Sequence, residues 1–414
     1  MGKTTSQYLG DSHNFGRRVF ERDGFIVKPR TVFWEWLFLG SDSPLRQLLI
    51  SAAAAERDGL ERQTFSFLPR LKFNSPGSRE AGEVQRIQLA PLAQGSTERK
   101  SELAAVVGRS LAFWAWFGVA DLHWENMALG VDAEGHIVFT PLDIEMVLAD
   151  LSLPTETKLL PDADPDYADV CRHAAGVRRV LPYLGKPVDV TDLLTMASAY
   201  SKMLVFLDCH AREIAEFFGQ LLALREMPIR VCLRGTDEYV QGDVKSLWPP
   251  LLDEEKEQLA RGDIAYFFRL YDKPGIHYFG NSTLSDIKTL PTEGDVPQLE
   301  PLLQVSKGFR SKSRRTLREE GFLTVLGAFD HKLFKGVHAH EGLEVTFQKK
   351  TLIVKFAEGV WGAGRRRRPE APNIQTGEEI EARRDLGEFV GSVYLPCRCG
   401  EVLDVMVPKV TVCQ

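Results

Sequence analysis

The sequence lacks the features that define membrane, secreted and nucleic-acid-binding proteins. No apolar run reaches the roughly 18 residues that a membrane-spanning helix needs, and residues 1–10 contain no apolar segment like that of a signal peptide. The chain has 57 acidic and 51 basic residues, a formal net charge of -6, so its overall charge gives no reason to expect nucleic-acid binding. We therefore expect no membrane insertion, no nucleic-acid partner and a cytoplasmic location.

Cysteine is also sparse, and its spacing does not form a framework. Cys171, Cys209 and Cys232 stand alone in apolar or helical surroundings, which favours small buried thiols. Cys397 and Cys399 are separated by one residue, unlike the pairs of zinc sites or redox motifs. The sequence therefore predicts neither a disulfide scaffold nor a structural zinc site.

The composition is that of a globular protein, and the length is sufficient for two lobes. Hydrophobic residues make up 44% of the 414 positions and charged residues 26%. Changes in hydrophobic periodicity place unit boundaries at 1–98, 99–330 and 331–414. Strands are predicted at 18–20 and 24–28, around the turn signal Arg22-Asp23-Gly24, and at 65–73, 83–89, 127–129, 137–140 and within 343–356. Helices are predicted at 43–57, with Ser41 or Ser43 as the N-cap, and at 103–117 and 193–224, with a polar hinge at 94–100.

Asp121, Asn126 and Asp143 have the spacing that phosphoryl transfer requires. Asp121 and Asn126 lie in the segment Asp-Leu-His-Trp-Glu-Asn, directly after an apolar helix. Asp143 follows the predicted hairpin, which would return its side chain to the same place. In kinases one Asp orients the attacking hydroxyl, while an Asn and a second Asp bind magnesium. The sequence therefore predicts an enzyme that uses ATP and Mg2+, with Asp121 as catalytic residue and Asn126 and Asp143 as metal ligands.

His123 and Glu145 lie next to these residues in the sequence, and each has two possible roles. His123 either holds the catalytic loop or is an ordinary hydrogen-bonded structural histidine. Glu145 would point the same way as Asp143 on an extended segment. It either helps to bind the metal or is a surface carboxylate.

Phosphate contacts are predicted near the start of the chain. Lys28 ends an apolar strand, where it either faces a cleft and neutralises ATP phosphates or lies at a solvated edge. We expect its acidic partner within 43–61, where Glu56, Asp58 and Glu61 are available. The glycine-bracketed turn at 10–16 is suited to lie over phosphates, with Gly10, Asp11, His13 and Gly16 as candidate contacts.

Two further segments concentrate basic residues. If 230–233 is extended, Arg230 and Arg234 share a face, and with Thr236 they form a phosphate-binding set or simply an exposed basic strand. Segment 307–318 carries six basic residues. It either contacts an acidic part of a peptide substrate or is a solvated linker.

In this order and combination, these segments resemble the dehydratase domain of the class II lanthipeptide synthetases, the LanM family. The matching stretches are GDSHNFGRRV at 10–19, VKPR at 27–30, DLHWEN at 121–126, DIE at 143–145, RVCLRGTDEY at 230–239 and GDIAYF at 262–267. That family has a diverged lipid-kinase-like fold. It phosphorylates Ser and Thr of a ribosomally made precursor peptide with ATP, then eliminates the phosphate to leave dehydroalanine or dehydrobutyrine.

The resemblance implies a two-lobed α+β fold, with a small β-rich N-lobe, a larger α-rich C-lobe and, in this chain, a β-rich C-terminal segment. It implies that Lys28 binds the ATP phosphates and that Asp121, with His123 beside it, is catalytic. Asn126 and Asp143 would bind Mg2+. Arg230 and Thr236 match the residues needed for phosphate elimination, and Arg234 lies between them. The implied partners are a precursor peptide and other enzymes of its pathway.

Three departures qualify the resemblance. Nine residues precede Gly10, where the family has a long segment that supports the kinase lobe, so we expect a partner or a shorter device in its place. The chain is too short for the family's C-terminal zinc cyclase and lacks its ligand signature, so we expect no thioether ring formation. Ala265 stands where the family usually has Pro.

Three alternatives to a dehydratase follow from the same residues. A small-molecule kinase of the aminoglycoside-phosphotransferase type uses a similar loop but has no need of Arg230 and Thr236. A peptide kinase without elimination would leave a phosphopeptide. A pseudokinase scaffold would have no reason to keep Lys28, Asp121, Asn126 and Asp143 together.

Overall fold

The computed structural model describes residues 8–55, 65–93, 97–161, 175–185, 188–235, 238–239, 251–280 and 284–291. It also describes isolated positions at 317, 321–322 and 324–325, and eight strands between 336 and 411. For the strand at 8–13 and the strands beyond 335, only the backbone is described. The protein mixes α and β elements, as the sequence predicts.

A five-stranded antiparallel sheet forms the first unit, in the strand order β1-β2-β3-β5-β4. Asp23 and Gly24 join β2 to β3 in left-handed conformations, which these residue types tolerate in tight turns. The predicted strands at 18–20 and 24–28 are therefore confirmed. The strands are β1 Tyr8–His13, β2 Arg17–Arg22, β3 Phe25–Lys28, β4 Phe73–Asn74 and β5 Gly82–Gln85.

The predicted strand at 65–73 is wrong, since only Phe73 joins β4, and the strand at 83–89 ends at Gln85. The apolar residues of 65–71 fill the core from a turn rather than from a sheet. Phe65 and Phe67 are buried there, and the Arg46 guanidinium donates to the carbonyls of Leu68 and Pro69. Burial and the nearby Arg70 lower the pKa of Arg46 to about 10.

Helices α1 Phe33–Leu39 and α2 Pro44–Ala55 lie between β3 and β4. The Ser43 hydroxyl accepts from the Arg46 N–H at 3.2 Å, so Ser43 caps α2 as its sequence position predicts. The predicted helix at 43–57 is confirmed as far as Ala55. The remaining helices are α3 Thr97–Trp116, α4 Leu181–Leu184, α5 Val190–Cys209, α6 Ala211–Gln220 and α7 Asp253–Ala260.

Helices α3 and α5 pack along each other and form the centre of the second unit. A Cβ at Gly108 would collide with the carbonyl of Met196, so glycine permits this close approach. The helix predicted at 103–117 is confirmed, but it begins at Thr97, so 97–100 are not a hinge; 94–96 lie outside the described residues. The segment 193–224 divides into α5, α6 and a 3-10 helix at Leu222–Glu226.

The length and hydropathy of α5 would suit a membrane span, but 72% of its apolar stretch is buried inside the protein. That burial is typical of a core helix. Cys209 at its end and Cys232 are exposed, because each lies where its helix or strand stops, so their predicted burial is wrong. Cys171 lies outside the described residues.

Two strands follow the segment 121–126, and three further sheets come after them. The hairpin β6 Met127–Val131 and β7 Ile137–Pro141 is confirmed. A four-stranded sheet that the sequence did not predict contains β8 Ile229–Val231, β9 Phe267–Leu270, β10 Lys273–Phe279 and β11 Ile287–Thr289. The third unit has a six-stranded sheet of β12 Gly336–His340, β13 Leu343–Gln348, β14 Thr351–Phe356, β15 Glu379–Asp385, β16 Glu388–Ser392 and β19 Val410–Thr411. The strands β17 Leu395–Pro396 and β18 Val402–Leu403 pair separately.

Candidate active site

Lys28 connects the first sheet to the segment that follows the β6–β7 hairpin. It is the last residue of β3 and is buried. Its Nζ lies 3.0 Å from Glu35 Oε1 on α1, 3.1 Å from the carbonyl oxygen of Leu142 and 3.3 Å from Asp143 Oδ1. The partner that the structure shows is thus Glu35 rather than a residue of 43–61, whose candidates Glu56, Asp58 and Glu61 lie outside the described residues.

Arg30 is a second buried cation at the same place, and sequence reasoning gave it no role. Its Nη2 lies 2.7 Å from Glu35 Oε1 and also contacts Asp143, while its Nε lies 2.9 Å from Glu145 Oε1. Burial alone would lower the pKa of Arg30, but the carboxylates of Asp143, Glu145 and Glu35 raise it well above its ordinary value. Arg30 therefore stays charged and holds three carboxylates together.

The two carboxylates of the Asp-Ile-Glu segment differ in their protonation energetics. Burial would raise the pKa of Asp143, but Arg30 and Lys28 hold it well below its ordinary value. Burial raises the pKa of Glu145. The charge of Arg30 lowers this pKa and the charge of Asp143 raises it, and the net result is a pKa above the ordinary value. Asp143 is also 36% exposed, so it offers an ionised and accessible carboxylate, whereas Glu145 is enclosed.

The segment 121–126, predicted to be catalytic, packs directly against these residues. The backbone N–H of Leu142 donates to the carbonyl of Asn126 at 2.7 Å, which places Asn126 beside Asp143. The Asn126 amide nitrogen donates to the Asp121 carbonyl at 3.0 Å. Asp121 has a left-handed backbone with φ 63°, a strained state found often at functional sites. The His123 backbone pairs with Ala175 in an isolated bridge, and its side chain makes no hydrogen bond within the described part of the chain.

The donor set at Asn126, Asp143 and Glu145 suits a Mg2+ ion. Because the Asn126 amide nitrogen is already used, its Oδ1 is the atom open to a cation. The Glu145 Oε2 is buried without a hydrogen-bond partner, a cost that a bound cation would remove. Magnesium prefers hard oxygen ligands of this kind, so the residues present fit the ion that the sequence predicts.

The glycine-bracketed segment has a different structure from the predicted turn. Gly10, Asp11 and His13 belong to strand β1, and only residues 14–16 form the turn. Phe15 and Gly16 have φ values of 74° and 75°, and their backbone N–H groups each donate to one carboxylate oxygen of Asp263 at 2.8 Å. Successive backbone N–H groups of a turn can form a nest that binds an anion. Here the anion is Asp263, so these two N–H groups do not support the predicted phosphate contact of Gly16.

Removing Asp263 should release the turn at Phe15 and Gly16. Hydrogen bonds to a charged acceptor contribute about 1.5–3 kcal/mol each, so Asp263→Ala should lower hydrogen-exchange protection of both amides by tenfold or more. Asp272→Ala, at a half-exposed carboxylate, is the matched control and should leave both amides protected. Unchanged protection in the Asp263 variant would show that the turn keeps its structure without the hydrogen bonds to Asp263.

Arg230 reaches the same cluster, but Arg234 does not. The Arg230 Nη1 lies 3.3 Å from Glu145 Oε1, and its guanidinium lies 5.6 Å from the centre of the Tyr266 ring. Strand β8 ends at Val231, so of the segment 230–233 only residues 230 and 231 lie in a strand. Arg234 instead pairs with buried Glu255 at 2.9 Å and is itself only 5% exposed. This ion pair joins the segment after β8 to α7, and Thr236 lies outside the described residues.

A cavity of about 490 Å³ adjoins the cluster. It meets the cluster at Leu142, whose carbonyl accepts from Lys28. On one side Arg178 and Arg179 lie 4.6 and 4.9 Å from the centre of the Trp124 ring. The other walls are Ile87, Met127, Ala128, Leu129, Leu142, Pro182 and Tyr183.

No protein-family model matches the chain, and no curated protein matches it either.

Sequence reasoning missed Glu35, although one signal pointed to it. It is the only charged residue in the apolar helix Phe-Trp-Glu-Trp-Leu-Phe-Leu. A carboxylate buried in such a helix requires a cationic partner, and Lys28 lies seven residues earlier.

Proposed function

We propose that this chain is an ATP- and Mg2+-dependent peptide dehydratase of the LanM type, with a divergent kinase-like core. The observation that carries the proposal is Lys28, whose ammonium lies 3.0 Å from Glu35 and 3.3 Å from Asp143. Protein kinases require this combination of a strand lysine, a helix glutamate and a metal-binding aspartate. The Asp121–Asn126 loop beside it adds the remaining groups of phosphoryl transfer.

The arrangement of the elements is compatible with two lobes around a nucleotide. The β1–β5 sheet with α1 would be the N-lobe, and the helices around α3 and α5 the C-lobe. The 490 Å³ cavity takes Ile87 from the first and Met127 and Leu142 from the second. Its apolar walls suit the base of ATP, and from there the phosphates would extend toward Lys28.

In the transfer step, a Ser or Thr hydroxyl oxygen of the peptide bonds to the γ-phosphorus of ATP. The bond from that phosphorus to the bridging oxygen breaks, the hydroxyl proton passes to Asp121, and ADP leaves. Lys28 would hold the departing phosphates, and Asn126, Asp143 and Glu145 would hold Mg2+. The ion, when bound, neutralises the phosphate charge.

In the elimination step, a base takes the α-proton, the bond from Cβ to the phosphate oxygen breaks, and a carbon–carbon double bond forms as phosphate leaves. Arg230 would stabilise that leaving group with charge-assisted hydrogen bonds, and Thr236 would add a hydroxyl. Arg230 lies within the same cluster as Asp143 through Glu145, which lets both half-reactions use one bound phosphopeptide.

The second candidate is a kinase of a peptide or small molecule that does not eliminate phosphate. One contact favours it, since Arg230 is engaged by Glu145 at 3.3 Å and a purely structural Arg would be held in the same way. Product mass separates the two functions.

The test combines the full chain with Mg-ATP and candidate Ser- and Thr-containing peptides, which are sought among the short reading frames adjacent to its gene. Dehydration makes the peptide lighter by one water per site, while simple phosphorylation makes it heavier by one phosphate. A peptide unchanged in mass, with no ADP formed, would contradict the proposed function. Cytoplasmic location and cooperation with other enzymes of the same pathway belong to this proposal.

A further inference from the structure

The segment 121–126, Asp-Leu-His-Trp-Glu-Asn, contains no Lys or Arg that could meet the negative charge of the transferred phosphoryl group beside Asp121. Lys158, 37 residues later in the chain, places its Nζ 3.0 Å from Asp121 Oδ1. Its segment, Thr-Glu-Thr-Lys-Leu-Leu, has no feature that marks it in the sequence, so only folding shows this contact.

The backbone around Lys158 is joined to the catalytic loop on both sides. The N–H of Leu122 donates to the carbonyl of Thr157 at 2.9 Å, and the N–H of Gly176 donates to the carbonyl of Lys158 at 3.0 Å. Thr157 is fully buried, and its hydroxyl donates to the Pro154 carbonyl at 2.6 Å. Lys158 is therefore fixed at its backbone while its ammonium reaches Asp121.

The position of Lys158 is set by the end of a short helix. Lys158 has φ 63°, the left-handed conformation of the residue that ends the 3-10 helix Pro154–Thr157. Its side chain is 63% exposed, and exposed ion pairs contribute little to folding. The ion pair with Asp121 therefore adds little stability, but it holds an accessible cation beside a candidate catalytic residue.

We infer that Lys158 is a second phosphate-binding lysine, which contacts the transferred phosphoryl group at the end where the peptide hydroxyl attacks. This inference rests on the proposed function. During transfer, negative charge spreads over the oxygens of the moving phosphoryl group while Asp121 holds the attacking hydroxyl. A cation beside Asp121 meets that charge and shields it from the carboxylate. Lys28, which contacts Asp143, would bind the phosphates that remain on ADP.

The test compares Lys158→Met and Lys158→Arg in the full chain with Mg-ATP and a Ser- and Thr-containing peptide that the unmutated chain phosphorylates. Lys158→Met should lower kcat for phosphorylation by about 100-fold, the effect of losing one preorganised charge. The KM for ATP should change by less than about threefold, because the lost contact forms mainly in the transition state. Lys158→Arg should restore most of the rate. Lys256→Met is the matched control, since Lys256 is equally exposed and paired with Asp253.

Binding gives a readout that a merely structural role would not produce. ADP with aluminium fluoride imitates the transferring phosphoryl group, so Lys158→Met should bind this pair more weakly and ADP alone normally. Elimination from a pre-phosphorylated peptide should continue in the variant. Unchanged kcat, or equal loss of ADP and ADP–aluminium fluoride binding, would overturn the inference while leaving the proposed function intact. If the unmutated chain makes no ATP-dependent product, both are wrong.

Discussion

Asp143→Asn should lower Mg-ATP turnover by at least about 100-fold, close to 3 kcal/mol of transition-state stabilisation. The substitution preserves the shape of the side chain but removes the ionised carboxylate, which the Arg30 and Lys28 charges keep at a low pKa. The fold should persist, because Lys28 and Arg30 retain Glu35 as their counter-charge at 3.0 and 2.7 Å. ADP release measured over a Mg2+ titration gives both the rate and the metal dependence.

Asp253→Asn is the control for this substitution, since Asp253 is a fully exposed carboxylate paired with Lys256. It should leave ATP turnover unchanged. If a folded Asp143→Asn protein turned over ATP at a near-normal rate, the kinase-like assignment would be wrong. Asp143 is the accessible carboxylate beside Lys28 that this assignment uses to bind the metal. Circular dichroism and thermal unfolding verify that the variant is folded.

Arg230→Ala should separate the two half-reactions, so that phosphopeptide accumulates. Losing the charge that stabilises the leaving phosphate should slow elimination by about 100-fold or more, while Lys28, Asp121 and Asp143 still transfer phosphate. Glu145 keeps an ion pair with Arg30 at 2.9 Å, so the cluster should hold. Mass spectrometry would show a gain of one phosphate per site where the unmutated chain gives loss of one water.

Two further variants complete the Arg230 experiment. Arg225→Ala removes an exposed arginine paired with Asp272 and should give normal dehydration. Asp121→Asn should produce neither product from unmodified peptide but should still eliminate phosphate from a pre-phosphorylated one when ADP is present. If the unmutated chain yields only stable phosphopeptide, the proposed elimination step is wrong, and the kinase without elimination is the remaining candidate function.

Local patterns were sufficient for the elements whose residues are contiguous. The Asp23-Gly24 turn, the Ser43 cap and the β6–β7 hairpin all follow from short-range preferences, and each has the predicted place. The hairpin matters most, because it alone returns Asp143 to Asn126. The prediction failed at 65–73, where burial in a turn and burial in a strand produce the same apolar composition.

Contacts between distant segments decided the rest of the candidate site. Asp263 takes the N–H groups of a turn 247 residues away, so the turn that resembled a phosphate loop is filled by a carboxylate of the chain itself. Arg230 and Arg234 looked equivalent in sequence, yet one joins Glu145 and the other joins Glu255. Strand β8 contains Arg230 and ends at Val231, so Arg234 lies beyond the strand and meets a different element.

The sequence by itself determined the chemical groups and their order: Lys28, then Asp121 with Asn126, then Asp143. Their spacing depends on one loop and one hairpin, whose geometry is local. Only the tertiary structure decided which charges surround them, adding Glu35, Arg30 and Lys158 through ion pairs of 2.7 to 3.0 Å. The physical reason is that an ion pair acts over a few ångströms of space, and separation along the chain does not limit which residues folding brings that close.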